Sequence, residues 1–172
     1  MEHILFSCTA TGREEIWTLL RNLWESTGVR RPDPSWGSIA GAACMAFWTE
    51  SKRHNIIAEK RWWTLAVESA HLIWKLHCEQ VIANEGAEFS MQEVASRWFA
   101  PLDRCISLER RIVALSPVKC RTKLAGVLEL VWAPILDSSD LPPNWVVNSG
   151  VLVGIKRGRC GSLYADEPPD DL

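Results

Sequence analysis

Apolar residues recur along most of this chain at the three- and four-residue spacing of amphipathic helices. The first run follows the capping-box pattern Thr11-Gly-Arg-Glu14, in which the threonine oxygen and the glutamate carboxylate satisfy early helical N–H groups. Gly28 is placed to end the run as a glycine just beyond a helix. Between them the apolar residues share one side of a helix: Ile16, Leu19, Leu20, Leu23 and Trp24. This stretch therefore predicts an amphipathic helix.

The remaining pattern predicts four more helices, at about residues 39–50, 55–85, 90–115 and 119–132. Ser35 or Ser38 is the expected cap of the second, which is rich in Gly and Ala. Ser90-Met-Gln-Glu93 is a capping box for the fourth, and Pro101 inside it should kink or split the helix. The predicted fold class is all-α, with about five helices packed around one long central helix and an irregular C-terminal segment.

The third predicted helix carries two apolar stripes. The first, here called the Trp63 stripe, comprises Trp63, Val67, Ala70, Trp74, His77 and Val81. The second, the Trp62 stripe, comprises Trp62, Leu65, Leu72 and Leu76. A helix that is apolar around most of its circumference is typical of a buried centre. We therefore expect the Trp63 stripe to pack against the small residues of the second helix. Only a narrow face is expected to meet solvent: Arg61, Glu68, His71, Lys75 and Glu79.

Ten tryptophans are the unusual feature of the composition, and they predict either a Trp-rich core or an interface for a protein partner. The formal net charge is −2, but four acids lie near the C-terminal end, so the rest of the chain carries a net charge of +2. Those acids are Asp166, Glu167, Asp170 and Asp171. A body this mildly basic is far from a strong nucleic-acid signature.

The six cysteines are widely separated, with no C-x2-C pair and no signal peptide before them. Cys44, Cys78 and Cys105 fall within predicted helices, where cysteine behaves as a small hydrophobe. We therefore expect reduced thiols and an intracellular location, in the nucleus or cytoplasm. No apolar run approaches the roughly 20 residues of a membrane span, so no membrane association is expected.

His3 and Cys8 have the spacing H-x4-C, immediately before the first predicted helix. Both are zinc-ligand types, and a zinc knuckle needs about four such ligands. No C-x2-C pair precedes His3, so half of a ligand set is missing. The sequence therefore predicts an incomplete metal site, His3 and Cys8, which binds zinc only if two further ligands come from elsewhere. No other cofactor is expected.

The segment from Glu2 to Cys8, followed by Ile16-Trp17, resembles the zinc-binding region after the polymerase of non-LTR retrotransposon reverse transcriptases. That family's pattern is C-x2-C, a turn, H-x4-C and a helix that carries Ile-Trp. Glu2, His3, Cys8, Ile16 and Trp17 match this pattern, whereas the first cysteine pair is absent. The rest of the chain is similar to the tail beyond that knuckle in fungal retroelement polyproteins. The resemblance implies a retrotransposon-derived C-terminal fragment.

The expected organisation is one helical domain over residues 1–136, in which residues 1–10 are a partial zinc-knuckle remnant. Pro142-Pro143 and Asn148-Ser-Gly150 are turn signals, so residues 137–155 are expected to form an irregular segment packed on the helices. Residues 156–172 are rich in Gly, Pro and acids, and are predicted to be a disordered acidic tail.

Other constellations lack the partners that their chemistry requires. Glu68-x-x-His71 is half of a di-iron helix motif, and no second half occurs in the sequence. Tyr164-Ala-Asp-Glu167 imitates a polymerase carboxylate pair, but it lies in the acidic end without flanking strand patterns. The sequence contains no Gly-rich phosphate loop and no G-x-S-x-G. We therefore expect no enzymatic activity.

Arg97, Arg104 and Arg111 recur every seven residues, so they share one face of the fourth predicted helix. They form a candidate phosphate-binding stripe for weak, non-specific nucleic-acid binding. The alternative is a solvated face balanced by Asp103 and Glu109.

Three hypotheses of function follow from the sequence. The first is a non-catalytic, retrotransposon-derived fragment that is weakly nucleic-acid-associated. The second is a helical interaction scaffold that docks on a protein partner, such as the missing polymerase or nuclease portion, through a Trp-rich surface. The third is an unselected gene fragment without function. Exposure of Trp74 in the folded monomer would favour the scaffold.

Overall fold

Six α-helices make up the fold in the computed structural model, which describes residues 1–8, 12–82, 88–136 and 141–147. They are α1 (Glu2–Phe6), α2 (Arg13–Glu25), α3 (Trp36–Ala40), α4 (Ile56–Ile82), α5 (Met91–Leu115) and α6 (Val118–Trp132). Two short 3-10 turns follow α3 and α6, at Ala42–Cys44 and Ala133–Ile135. Within the described ranges no strand forms, and an antiparallel bridge joins Trp48 and His54. The predicted all-α class is confirmed.

Helix α4 is the axis of the bundle and contacts each of the other five helices. Its Trp62 stripe faces inward, since Trp62, Leu65 and Leu76 have no exposed surface and Leu72 is buried. The apolar side of α2 is buried as well, from Ile16 to Trp24. Both stripes were predicted from helical periodicity, and both form the core because each removes apolar surface from water.

Four tryptophans are fully buried, one each from α2, α4, α5 and α6: Trp24, Trp62, Trp98 and Trp132. The rings of Trp24 and Trp62 meet edge to face, with centroids 5.5 Å apart and planes at 84°. All four indole N–H groups donate hydrogen bonds, to Val29 O, Ser38 O, Ser69 Oγ and a Glu109 carboxylate oxygen. A buried indole needs such a partner, so these bonds fix the ring orientations as well as the packing.

The start of α2 differs from the predicted capping box. Gly12 is the N-cap, with φ 94°, and the Glu14 carboxylate accepts a hydrogen bond from Arg13. A side chain at position 12 would meet Leu76 Cδ1 at 2.8 Å, so close packing on α4 selects glycine here. Thr11 itself lies outside the described residues. The preceding helix α1, which the sequence did not predict, is held because Trp17 Nε1 donates to Leu5 O at 2.9 Å.

The second predicted helix, at residues 39–50, is wrong. Ser35 caps a much shorter helix, α3, through a capping box with Ser38, and the chain leaves helical geometry after Cys44. Residues 45–55 instead form a non-helical loop. It is fixed because the Phe47 N–H donates to the Glu59 carboxylate at 3.0 Å and the Thr49 N–H donates to Arg53 O at 2.8 Å.

The fourth and fifth predicted helices are present as α5 and α6. Ser90 caps α5 by accepting from the Glu93 N–H at 3.2 Å, which is the serine half of the predicted capping box, while the Glu93 carboxylate pairs with Arg97. The helix runs through Pro101 without interruption, so the expected split does not occur. Trp98, Phe99 and Leu102 around the proline are all buried, and their packing offsets the one backbone hydrogen bond that proline removes.

The narrow polar face of α4 was predicted to be solvated, and most of it is not. Arg61 is 4% exposed, Glu68 is half-buried beside Cys105, and Glu79 binds Arg97. Helices α5 and α6 cover this side of α4, while His71 and Lys75 stay exposed. The Trp62 stripe lies in the core and most of the polar face is covered. The Trp63 stripe is therefore the apolar side of α4 that meets solvent.

Part of the predicted irregular segment is described, at residues 141–147, and consists of turns that pack on the core. Trp145 and Val146 are buried, and Arg110 Nε of α5 donates to Trp145 O at 2.8 Å. The predicted disordered tail, residues 156–172, lies outside the described residues, as do residues 148–155.

Candidate interaction surface on the central helix

The Trp63 stripe lies on the exposed side of α4, contrary to the expectation that it packs on the second helix. Trp63 is 51% exposed, Val67 43% and Trp74 40%. Val81 at one end and Ile56 at the other are also exposed. The expected neighbour is missing because α3 is too short to run along α4. Five apolar side chains therefore face solvent on one side of the longest helix.

The side chains of this surface are placed by helical geometry and by local contacts. Ile56, Trp63, Val67, Trp74 and Val81 follow each other at intervals of three and four residues or their sum, so they lie within one narrow face. His71, also exposed, stacks on Trp74 with ring centroids 6.2 Å apart. The helix beneath is rigid because its opposite face is packed into the core, so the surface is preformed.

An open groove of about 370 Å³ extends this surface at the N-terminal end of α4. The 3-10 turn Ala42–Cys44 packs against α4, and its small side chains leave space beside the helix. The groove is lined by Ala42, Ala43, Ile56, Glu59, Lys60 and Trp63. Glu59 is occupied by His54 and by the Phe47 N–H, so the lining is largely apolar with one lysine at its edge.

Charged groups beside the stripe are mostly paired within the chain. Lys60 binds Glu109 at 2.9 Å, and Lys75 lies 3.8 Å from Glu79. The hydrogen bond from Arg97 lowers the pKa of Glu79 below its ordinary value, and the same bond raises the pKa of Arg97. Since these acids and bases neutralise each other, the exposed face is apolar and the charged residues at its edge carry little net charge.

The two predicted metal ligands have different surroundings. His3 is exposed on α1, whereas the Cys8 thiol lies 3.7 Å from His77 Nδ1 on α4. In the part of the chain that the structure describes, no group of three or more His, Cys, Asp or Glu side chains is placed to hold a metal ion. Sequence reasoning paired Cys8 with the nearer histidine in the chain and missed His77, because that pairing depends on how α1 docks on α4.

We expect the isolated chain not to hold zinc tightly, because Cys8 and His77 supply two ligands of about four. Metal analysis of purified protein after dialysis should find much less than one zinc per chain. A stoichiometric zinc that is lost on Cys8→Ser or His3→Ala would contradict this prediction.

The three arginines of the predicted phosphate stripe have different surroundings. Arg97 binds Glu79 and Glu93 and lies over the Phe89 ring, 4.9 Å from its centroid. Arg104 and Arg111 are exposed. The helix does place all three on one face, but Arg97 is already committed to neighbours, so two exposed cations remain from the predicted stripe.

Two buried arginines were not predicted as important. Arg61 donates from Nε to Val131 O and from Nη2 to Leu130 O, both at 2.7 Å, and burial lowers the pKa of its guanidinium. Arg110 holds the turn at Trp145, and burial lowers its pKa as well. Arg61 binds two carbonyls at the end of α6, and Arg110 binds a carbonyl of the turn at Trp145, so the role of both is structural.

Two motifs remain from the sequence, Glu68-x-x-His71 and Tyr164-Ala-Asp-Glu167. Glu68 contacts Cys105 rather than a second Glu-x-x-His helix. The pKa of the Cys105 thiol is raised, mainly because the thiol is partly buried and also because the negative charges of Glu68 and Glu109 lie nearby. Tyr164 to Glu167 lies outside the described residues. None of the helices that the structure describes is both long and apolar enough to cross a membrane.

The residues that carry the retrotransposon resemblance have structural roles in this fold. Ile16 and Trp17 are buried in α2, and the Trp17 ring stacks on Phe6 at 5.8 Å. Glu2 and His3 lie exposed on α1. The resemblance itself stays a prediction. No family model, curated protein or solved structure matches this chain.

Proposed function

We propose that this chain is a non-catalytic interaction scaffold whose binding surface is the exposed Trp63 stripe together with the adjoining groove. The single observation that supports this most is the half-exposure of Trp63 and Trp74 on one face of the central helix. A structural core explains the other stripe of α4, whereas the tryptophans and valines of this one are exposed.

The composition and shape of the surface fit protein recognition. Tryptophan is over-represented among residues that carry most of the energy of protein interfaces. Exposed apolar patches of several hundred Å² on a folded chain commonly mark binding sites. A preformed helix face also loses little conformational entropy on binding, since its backbone is already ordered. These three properties favour docking over a purely structural role.

Site-specific photo-crosslinking tests this function. A photoreactive phenylalanine analogue replaces Trp74 in the full chain, and a control carries it at Arg21, an exposed position on α2. Irradiation of cells that express each variant should give a discrete adduct from position 74 and none from position 21. Absence of an adduct at position 74, or equal adducts from both positions, would contradict the proposal and favour a fragment without function.

A second candidate function is weak, non-specific nucleic-acid binding by a retrotransposon-derived chain, supported by the exposure of Arg104 and Arg111 on one helix face. Two phosphate contacts give a log–log salt slope of about −2, at about −0.9 per contact on duplex. Arg104→Ala with Arg111→Ala should abolish binding to a duplex oligonucleotide, whereas Arg97→Ala should change it little because Arg97 is ion-paired. Binding that persists in the double variant at high salt would exclude this surface.

A further inference from the structure

We infer that the occupant of the Trp63 stripe is a second copy of this chain, bound antiparallel along α4 about a twofold axis near residues 68 and 69. This inference rests on the proposed scaffold function and gives the partner of that surface. The two copies would each contribute the same helix face, as a twofold interface requires.

The spacing of the exposed face supports pairing with itself. Including Ile56 and Lys60, the face reads Ile56, Lys60, Trp63, Val67, Ala70, Trp74, His77 and Val81, hereafter the seam. Its intervals alternate between four and three residues from end to end, which is the repeat of a two-helix coiled-coil seam. Five seam residues are exposed and three, Lys60, Ala70 and His77, are half-buried, so part of every turn of the seam is accessible to a second helix.

One antiparallel register matches the seam residues by size and character. It sets Trp63 against Trp74 of the second copy, and Val67 against Ala70. At the ends it sets Ile56 against Val81, and Lys60 against His77. The small central layer brings the helices close, and the large rings fill the space on both sides of it. Every apolar residue therefore meets an apolar residue.

A parallel pair of the same helices is less favourable. It would stack each seam residue on its own copy, so that Lys60 would face Lys60 and two Ala70 side chains would leave a gap beside two Trp74 rings. Like charges in contact and an underfilled layer both cost stability. The antiparallel register avoids both, since Lys60 meets His77 instead of a second lysine, and Val67 fills the layer opposite Ala70.

In this register the groove at the start of α4 is filled by the end of α4 of the second copy. The end of α4 in the second copy carries Val81 and Ile82, which are 64% and 80% exposed. The register brings that end to Ile56, on the wall of the groove that Ala42, Ala43 and Trp63 complete. By symmetry each copy fills one groove and offers one helix end.

The size of the contact predicts a weak, reversible dimer. The seam spans 25 residue steps, so it is roughly 38 Å long and about 10 Å wide, or about 400 Å² on each copy before the grooves are counted. Stable complexes bury about 1,200–2,000 Å² in total, and smaller contacts are transient. We therefore expect a dissociation constant on the order of micromolar.

Sedimentation equilibrium of the full chain tests the inference. The concentrations should cover about a hundredfold range, centred near the micromolar dissociation constant expected from the contact area. The mass should rise reversibly from that of one 19.4 kDa chain toward two. Trp74→Glu should weaken the association at least about tenfold while the circular dichroism and the unfolding midpoint stay unchanged, because Trp74 is exposed. Leu130→Glu, at an exposed apolar position of α6, should leave the association as it is.

Charge pairing tests the register itself. Trp63→Glu combined with Trp74→Lys in one chain sets opposite charges against each other in the antiparallel dimer and should restore association relative to either single variant. Trp63→Glu combined with Trp74→Glu sets like charges against each other and should not restore association. A parallel dimer would show no recovery in either case and would overturn the register.

A chain that stays monomeric throughout, or a dimer that Trp74→Glu does not weaken, would overturn the second copy as occupant. The crosslinking experiment then separates the two ideas. An adduct at position 74 with the mass of two chains supports both, and an adduct with a different protein supports the scaffold while contradicting the second copy.

Discussion

Replacing Trp62 by alanine should lower the free energy of unfolding by about 3–5 kcal/mol, the range for emptying a large buried aromatic site. Trp62 has no exposed surface, meets the rings of Trp24 and Phe47, and donates its N–H to Ser38 O. The substitution removes these contacts and leaves a cavity where α2, α3 and α4 meet. Denaturant unfolding followed by circular dichroism, in the dilute monomer, measures the loss.

The neighbouring residue provides the matched control. Trp63→Ala changes the same residue type one position along the same helix, but its side chain is 51% exposed. Its cost should be below about 1 kcal/mol, as for other surface substitutions. Trp74→Ala should behave like Trp63→Ala, because Trp74 is 40% exposed. Equal losses at positions 62 and 63 would show that both stripes of α4 are core.

Helical periodicity was enough to predict the architecture but not the assignment of the two faces of α4. The Trp62 and Trp63 stripes are equally apolar in sequence, because each contains tryptophan and aliphatic residues at helical spacing. Which one is buried depends on what covers it. A helix at residues 39–50 would have covered the Trp63 stripe, and the structure instead has a short helix, a 3-10 turn and a loop there.

Local signals were reliable where they act within a few residues. Ser35 and Ser90 do cap α3 and α5, because a serine oxygen needs only the next turn of the helix as its partner. The N-cap of α2 is Gly12, whose close packing against Leu76 is a distant contact that no local signal gives. Arg61 was wrongly placed on a solvated face, and the contact of Cys8 with His77 was missed, because these contacts join different parts of the chain.

The candidate surface was therefore half predictable. The sequence named its residues correctly as one stripe, including Trp63, Val67 and Trp74, and the abundance of tryptophan suggested an interface. The groove beside Ile56 had no signal in the pattern, because it arises from Ala42 and Ala43 in a turn that was expected to be helical. Exposure was the missing property, and it is a property of the packed bundle.

Replacing Arg61 by leucine should also destabilise the fold by about 3–5 kcal/mol, although leucine suits a buried site. Leu130 lies four residues before Pro134, which has no N–H, so its carbonyl cannot receive the usual helical hydrogen bond. Arg61 Nη2 supplies the missing donor, and Nε binds the next carbonyl, Val131 O. Charge-assisted hydrogen bonds of this kind contribute about 1.5–3 kcal/mol each, and Val131, whose carbonyl would lose its donor, has no exposed surface. Thermal or urea unfolding measures the loss.

A double-mutant cycle with Pro134→Ala tests this cause specifically. Alanine at position 134 restores an N–H within reach of Leu130 O while keeping the carbonyl that accepts from Ser26 Oγ at 3.0 Å. The leucine substitution at Arg61 should therefore cost less in the Pro134→Ala background, with a coupling of about 1 kcal/mol or more. Lys60→Leu, next to Arg61 but ion-paired near the surface, should cost less than about 1 kcal/mol. If the effects of Arg61→Leu and Pro134→Ala simply add, Arg61 stabilises the fold by packing, and the missing proline donor is not what it replaces.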